Sequence, residues 1–178
     1  MTPTIGIKAD SILYRYSYPW LFSLMDRLDV RHLQFGSFFE MYSLPDRFFL
    51  KIRSEAENHG IRISSCFTSH RELGGFFSDD PDLRDTAMRA YRRYIEIGAL
   101  LGADSVGSNP GSVLRDRMDY KENGSGNYLE AMTQLAAYAA RAGLKALTVE
   151  PMSCSAEPPT SPEEITCYMT TLSTERAK

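Results

Sequence analysis

Leu144-Lys-Ala-Leu-Thr-Val-Glu-Pro-Met152 is the stretch whose reading decides the fold. It is short and apolar, and its β-branched Thr148 and Val149 suit a strand. Pro151 has no N–H to donate to a ladder, so the strand stops there. Glu150 is thereby left at a strand's carboxyl end. In parallel α/β folds that end is where ligands and metals sit. The competing reading of Glu150 is a solvated edge residue, or an acceptor that caps a helix.

Just upstream, Tyr128 to Ala142 reads as a helix stopped by Gly143. The unit is therefore helix, glycine, strand, and it recurs along the chain. Ile5 to Lys8 is a first strand. Pro19 to Leu28 is a helix with proline in its first turn. Val30 to Phe35 is a second strand, ended by Gly36. Pro45 to Asn58 is a helix closed by His59-Gly60, a C-cap glycine. Ile61 to Phe67 is a third strand, followed by a polar loop from His70 to Asp80. Asp80-Pro81 then pairs a cap with a first-turn proline. The helix it opens runs to about Leu101, with Ala87, Tyr91, Tyr94, Ile95 and Ala99 at helical spacing. Gly102 ends it. Ala103 to Ser108 is a fourth strand, and Asn109-Pro-Gly-Ser112 a turn. Residues 115–126 are charged and carry glycines, which reads as a surface loop. Leu144 to Glu150 is the fifth strand. Ser161-Pro-Glu-Glu164 is a capped start for a last helix, to about Leu172.

Strands alternating with helices predict βαβ units, a parallel sheet and right-handed crossovers. Two architectures accommodate five such units. One is an open flavodoxin-like sheet, complete at this length. The other is a partial (β/α)8 barrel, which needs about 250 residues when whole. Residues 8–18 are aromatic where a dinucleotide- or flavin-binding loop would be rich in glycine.

Composition narrows the function. The 178 residues are 43% apolar, enough for one domain with a core, and the reading places residues 1–178 in a single domain. A net charge of −3 argues against a nucleic-acid backbone as the main partner. No apolar run reaches bilayer-spanning length, so no membrane partner is expected. The start shows no basic region followed by an apolar stretch. Cys66, Cys154 and Cys167 are odd in number and irregularly spaced, which points to a reducing compartment and a cytoplasmic setting.

The sequence resembles the xylose isomerase-like, or sugar isomerase/epimerase, (β/α)8 barrels, which are related in fold to zinc endonucleases of abasic sites. The residues that carry the likeness are the opening Ile5-Gly-Ile-Lys8, Glu57-Asn-His-Gly-Ile-Arg-Ile63, Ala99-Leu-Leu-Gly-Ala-Asp-Ser-Val106, and Ala139-Ala-Arg-Ala-Gly-Leu-Lys-Ala-Leu-Thr-Val-Glu-Pro151. The resemblance covers the chain but about five-eighths of the barrel. It implies isomerisation or epimerisation of a ketose, sugar phosphate or sugar acid through an enediolate. It also implies a divalent metal, manganese, magnesium or cobalt ahead of zinc. Glu150 matches the acidic metal ligand after the fifth strand, which in such epimerases also moves a proton. Glu157 is the candidate for a second, sugar-touching carboxylate, and His70 for a substrate contact. The family's other ligands follow the sixth, seventh and eighth strands. The expectation is therefore a whole protein that is an enzyme, with the 178 residues inactive alone and prone to self-association through unpaired strand edges. A homo-oligomer is expected. An endonuclease acting on abasic DNA and a non-catalytic assembly module are the alternatives.

The chemistry explains these residue types. Removing a proton beside a carbonyl needs a base, and a metal steadies the developing oxyanion. Returning the proton from the opposite face needs a second acid. Other candidates lie in the loops after the strands. Tyr14, with Tyr16, Tyr18 and Trp20, suits either a sugar-stacking wall or packing against another surface. Glu40 is a pocket acid or an ordinary loop acid. Asn109 and Ser108 can hydrogen-bond a hydroxyl or carboxylate. Arg15 and Arg71 can meet an anion. His32, His59 and Asp104 read as structural.

Overall fold

A computed structural model describes residues 4–69 and 73–176, with side chains to residue 173. Among the described residues five strands, β1 (Gly6–Lys8), β2 (His32–Gly36), β3 (Arg62–Thr68), β4 (Ser105–Ser108) and β5 (Ala146–Val149), alternate with five long α-helices. The helices are α1 (Tyr18–Arg27), α2 (Asp46–Asn58), α3 (Pro81–Leu100), α4 (Lys121–Arg141) and α5 (Pro162–Arg176). All strand pairs are parallel, and the order is β1-β2-β3-β4-β5. A flavodoxin-like sheet would place β1 between β2 and β3, so that alternative is excluded. Successive helices pack on one another from α1 through α5, in the same order as the strands. The architecture is that of a partial (β/α)8 barrel.

The caps read from sequence at Asp80 and Ser161 are present, and the structure adds one at Ser17. Ser17 accepts from Trp20 N–H at the start of α1, and Asp80 accepts from Asp82 N–H at the start of α3. Thr160 and Ser161 start α5, where Glu164 reaches back to Thr160 N–H at 2.7 Å. Gly102 and Gly143 follow α3 and α4 at φ +73° and +90°, the left-handed turn that glycine adopts without strain. After α1 the same job falls to Asp29, at φ 51°.

One element departs from the sequence reading. Residues 115–126 form no open loop: Arg115–Tyr120 is a 3-10 turn and α4 begins at Lys121. Gly124 is there for proximity. A Cβ on it would come within 2.9 Å of the Phe77 carbonyl oxygen, so the glycine lets α4 lie against the α3-side loop. That packing outweighs the roughly 1 kcal/mol that glycine loses in a helix.

The core lies between sheet and helices. Alternation along each strand sends Leu33, Phe35, Cys66 and Val106 into it. Its largest members are aromatic: Tyr91, Tyr94, Tyr128, Phe22, Phe35, Phe49 and Phe77. Phe77 stacks on Tyr128 at 5.1 Å, and Tyr94 Oη donates to the Gly107 carbonyl at 3.2 Å, fixing α3 to β4. The aromatic content of the chain is thus largely interior.

α3 meets the sheet most closely at Gly98, where an added Cβ would overlap Val106. Gly98→Val should destabilise the protein by about 1–3 kcal/mol through overpacking. A denaturant titration with an unchanged midpoint would contradict this contact.

Candidate functional site at the carboxyl ends of the strands

β4 and β5 bring two predicted site residues together. The register pairs Gly107 with Thr148 and Ser108 with Val149. Glu150 N–H continues the ladder by donating to the Ser108 carbonyl at 3.1 Å. That bond sets the Glu150 side chain beside Asn109, whose Nδ2 donates to Glu150 Oε2 at 2.5 Å. The same amide lies 3.1 Å from Met152 Sδ. Glu150 is exposed, so its carboxylate is held at one oxygen and accessible.

A second contact joins two more candidates. Tyr14 Oη donates to Glu40 Oε2 across the loops that follow β1 and β2. Tyr14 is 77% exposed and sits at φ 58°, a conformation uncommon for a residue with a side chain. Beside it Tyr16 stacks on Trp20 at 4.1 Å, whereas Tyr18 points inward to stack on Phe35. Glu157 lies in the β5–α5 loop, half-buried, in a turn where its N–H donates to the Cys154 carbonyl at 2.8 Å. Ser108 is buried. His70 and Arg71 lie outside the described residues.

The face of the sheet opposite the helices carries further groups. Lys8, Gln34, Phe67 and Thr148 project there, outside the core. Gln34 Nε2 donates to Ser65 Oγ at 3.0 Å. Gly36 and Gly107 each leave a side-chain space that a neighbour fills, the Asp10 carboxylate at Gly36 and the Thr148 hydroxyl at Gly107. Lys8 Nζ pairs with Asp10 at 2.8 Å and lies 4.8 Å from the Phe67 ring centre. Period two in β2 sets Gln34 apart from the buried Leu33 and Phe35, but a bulge breaks the alternation in β3 before Phe67, and β1 is too short to show a period at Lys8.

At the opposite end of the strands the charged groups serve stability, as expected for His32, His59 and Asp104. His32 Nδ1 is 2.8 Å from Ser64 Oγ. His59 contacts the Asp26 carboxylate, which Arg31 also engages at 2.5 Å. Asp104 ties three strands together through Lys145 at 2.8 Å and Arg62 at 2.5 Å.

No three His, Cys, Asp or Glu side chains come together as a cation site among the described residues. Glu150 is a single carboxylate whose hydrogen-bond neighbour is a neutral amide. This donor set does not by itself fit a divalent metal.

A sequence model described as a xylose isomerase-like TIM barrel matches residues 28–176. The chain belongs to the xylose isomerase-like TIM barrel family. Solved structures agree on the fold. A candidate xylose isomerase from Rhodospirillum rubrum superposes with a TM-score of 0.85 at 22% identity, over 96% of this chain and 62% of that one. A D-psicose 3-epimerase from Clostridium cellulolyticum, crystallised with D-tagatose, gives 0.76 at 15% identity, over 94% and 59%. A D-allulose 3-epimerase from Methylomonas gives 0.71 at 15% identity, over 96% and 59%. The chain therefore spans about three-fifths of the length of these relatives. No curated protein matches it. Among the described residues no helix is long and apolar enough to cross a membrane.

Acid titration separates the two ends of the strands. Hydrogen bonds from His59 and then Arg31 hold the Asp26 carboxyl below its usual range, and Lys145 with Arg62 does the same for Asp104. A carboxyl lowered by folding stabilises the native state above its unfolded pKa of about 3.9. That contribution is lost as pH falls through the folded value. The unfolding temperature should therefore drop below about pH 4, and Asp104→Asn should flatten the drop. An identical acid profile in the variant would remove Asp104 from the account.

Proposed function

We propose that the whole protein is an isomerase or epimerase of a small ketose-type carbohydrate and that Glu150 is its proton-transferring side chain. The observation that supports this most is the pair of Glu150 and Asn109 at the carboxyl ends of β5 and β4, in a chain of the xylose isomerase-like family. Among relatives of this fold are proteins named as 3-epimerases of D-psicose and D-allulose.

The chemistry proposed follows from the geometry. A proton on the carbon beside a carbonyl is abstracted by a carboxylate oriented toward it. Asn109 holds one Glu150 oxygen through its amide and leaves the other to take the proton. The exposed Thr148 hydroxyl, projecting two residues earlier on the same face, is placed to hydrogen-bond a sugar hydroxyl. Glu157 and Glu40 are the further carboxylates proposed to contact the sugar, and Tyr14 orients Glu40. A divalent metal remains a proposal for the whole protein, with Glu150 as its one ligand from the described residues.

The test is solvent exchange. In D2O, D-fructose, D-tagatose and D-psicose are each incubated with the protein, and deuterium next to the carbonyl is followed by NMR. Glu150→Gln keeps the shape and removes the base, so exchange should fall about 10²- to 10⁴-fold, mainly in kcat. Asn109→Ala should lose less, because it positions the base without being one. Wild-type exchange in Glu150→Gln would refute the assignment, and cleavage confined to abasic DNA would replace it with the endonuclease reading.

A further inference from the structure

The inner face of the sheet, away from the helices, is organised in a row just below the strand ends. In register order it runs Gly36, Phe67, Gly107, Thr148. The two glycines make the row unusual. With no side chain of its own, Gly36 admits the Asp10 carboxylate from the turn after β1, and Gly107 admits the Thr148 hydroxyl. Phe67 is therefore left between two polar groups with no side chain on either flanking strand position to cover it. It is half-buried and outside the core.

Lys8 reaches into this arrangement from β1. Its register partner is Gln34, yet its ammonium lies 4.8 Å from the Phe67 ring centre, two strands away. The Gly36 position between the two strands is filled by the Asp10 carboxylate. Asp10 at 2.8 Å fixes the other side of the ammonium. Attraction to the ring face and the carboxylate thus hold a long, flexible side chain in one place. Its side chain is 46% exposed, so the cation is positioned but accessible.

We propose that Lys8 anchors an anionic end group, a carboxylate or a phosphate, of the carbohydrate that this site accepts. The inference rests on the proposed function and narrows its substrate class to sugar acids or sugar phosphates. Phe67 is the apolar floor on which the carbon chain lies. Lys8 takes the charged end on the β1 side, and Glu150 with Asn109 meets the reacting end on the β5 side. Asp10 competes for the ammonium: its carboxylate pairs with Lys8 at 2.8 Å and gives up part of that contact when the anion binds. A neutral ketose would find the same floor and the same base without the anchor.

The test is equilibrium binding, independent of turnover. Titration calorimetry of the whole protein uses inorganic phosphate, D-gluconate, D-fructose and D-fructose 6-phosphate at low salt, where exposed charges are least screened. The anion-bearing probes should bind the wild type, and Lys8→Met should weaken them by about tenfold or more. Lys8→Arg should restore most of that loss. Asp10→Asn should tighten anion binding when Lys8 is present and not in the Lys8→Met background, because the carboxylate competes with the anion for that ammonium. D-fructose affinity should be unchanged in all three variants. Phosphate and fructose 6-phosphate binding without gluconate would identify a phosphate anchor, and gluconate without the phosphates a carboxylate anchor. Equal anion affinity in wild type and Lys8→Met would overturn the inference. Binding of D-fructose with no anion binding would also overturn it and would leave the proposed function standing. If D-fructose and the anions all fail to bind, both readings fall together.

Discussion

β4 and β5 can pair as they do because Gly107 has no side chain. The Thr148 hydroxyl occupies the volume a Cβ would take, and the Thr148 carbonyl would lie 2.8 Å from it. This close approach sets the register, and the register carries the Glu150 N–H onto the Ser108 carbonyl. With the backbone held there, Glu150 and Asn109 become neighbours at the strand ends. The geometry of the one acid proposed to move a proton is thus fixed by a residue that contributes no functional group.

The same economy operates elsewhere in the sheet. Gly98 lets α3 settle on Val106, and Gly36 admits the Asp10 carboxylate that pairs with Lys8. Helices pack over one face only, so core-forming side chains are confined to alternate positions and the other face is released from packing. Aromatic rings fill the first face. Lysine, glutamine, threonine and a lone phenylalanine occupy the second. The division also separates roles along the strands: ion pairs at the amino ends, through Asp26 and Asp104, stabilise the sheet, while the carboxyl ends hold an accessible carboxylate and amide.

Most element boundaries were legible because helix–glycine–strand punctuation is local chemistry. The strand order was not, because the same units fit an open sheet and a partial barrel and only the pairing of β2 with β3 separates them. Asp80, Ser161, Gly102 and Gly143 do in the structure what their types suggest. The start of α4 was hidden, since Gly124 and Gly126 look like loop residues until Phe77 is seen packed against the helix. The pairing of Tyr14 with Glu40, 26 residues apart, was equally hidden, although each was singled out alone. Glu150 could be found from the proline that ends its strand. Lys8 could not, because its importance depends on a glycine in the next strand and a ring in the one after.

The central claim is that carbohydrate binds on the inner face, between Lys8 and Glu150. A crystal structure of the protein soaked with a ketose tests it most directly. The account predicts sugar density lying over Phe67 with a hydroxyl or carbonyl oxygen within hydrogen-bonding distance of Glu150 or Asn109. Density confined to the outer helical surface, with Glu150 and Asn109 still engaged only with each other, would contradict it.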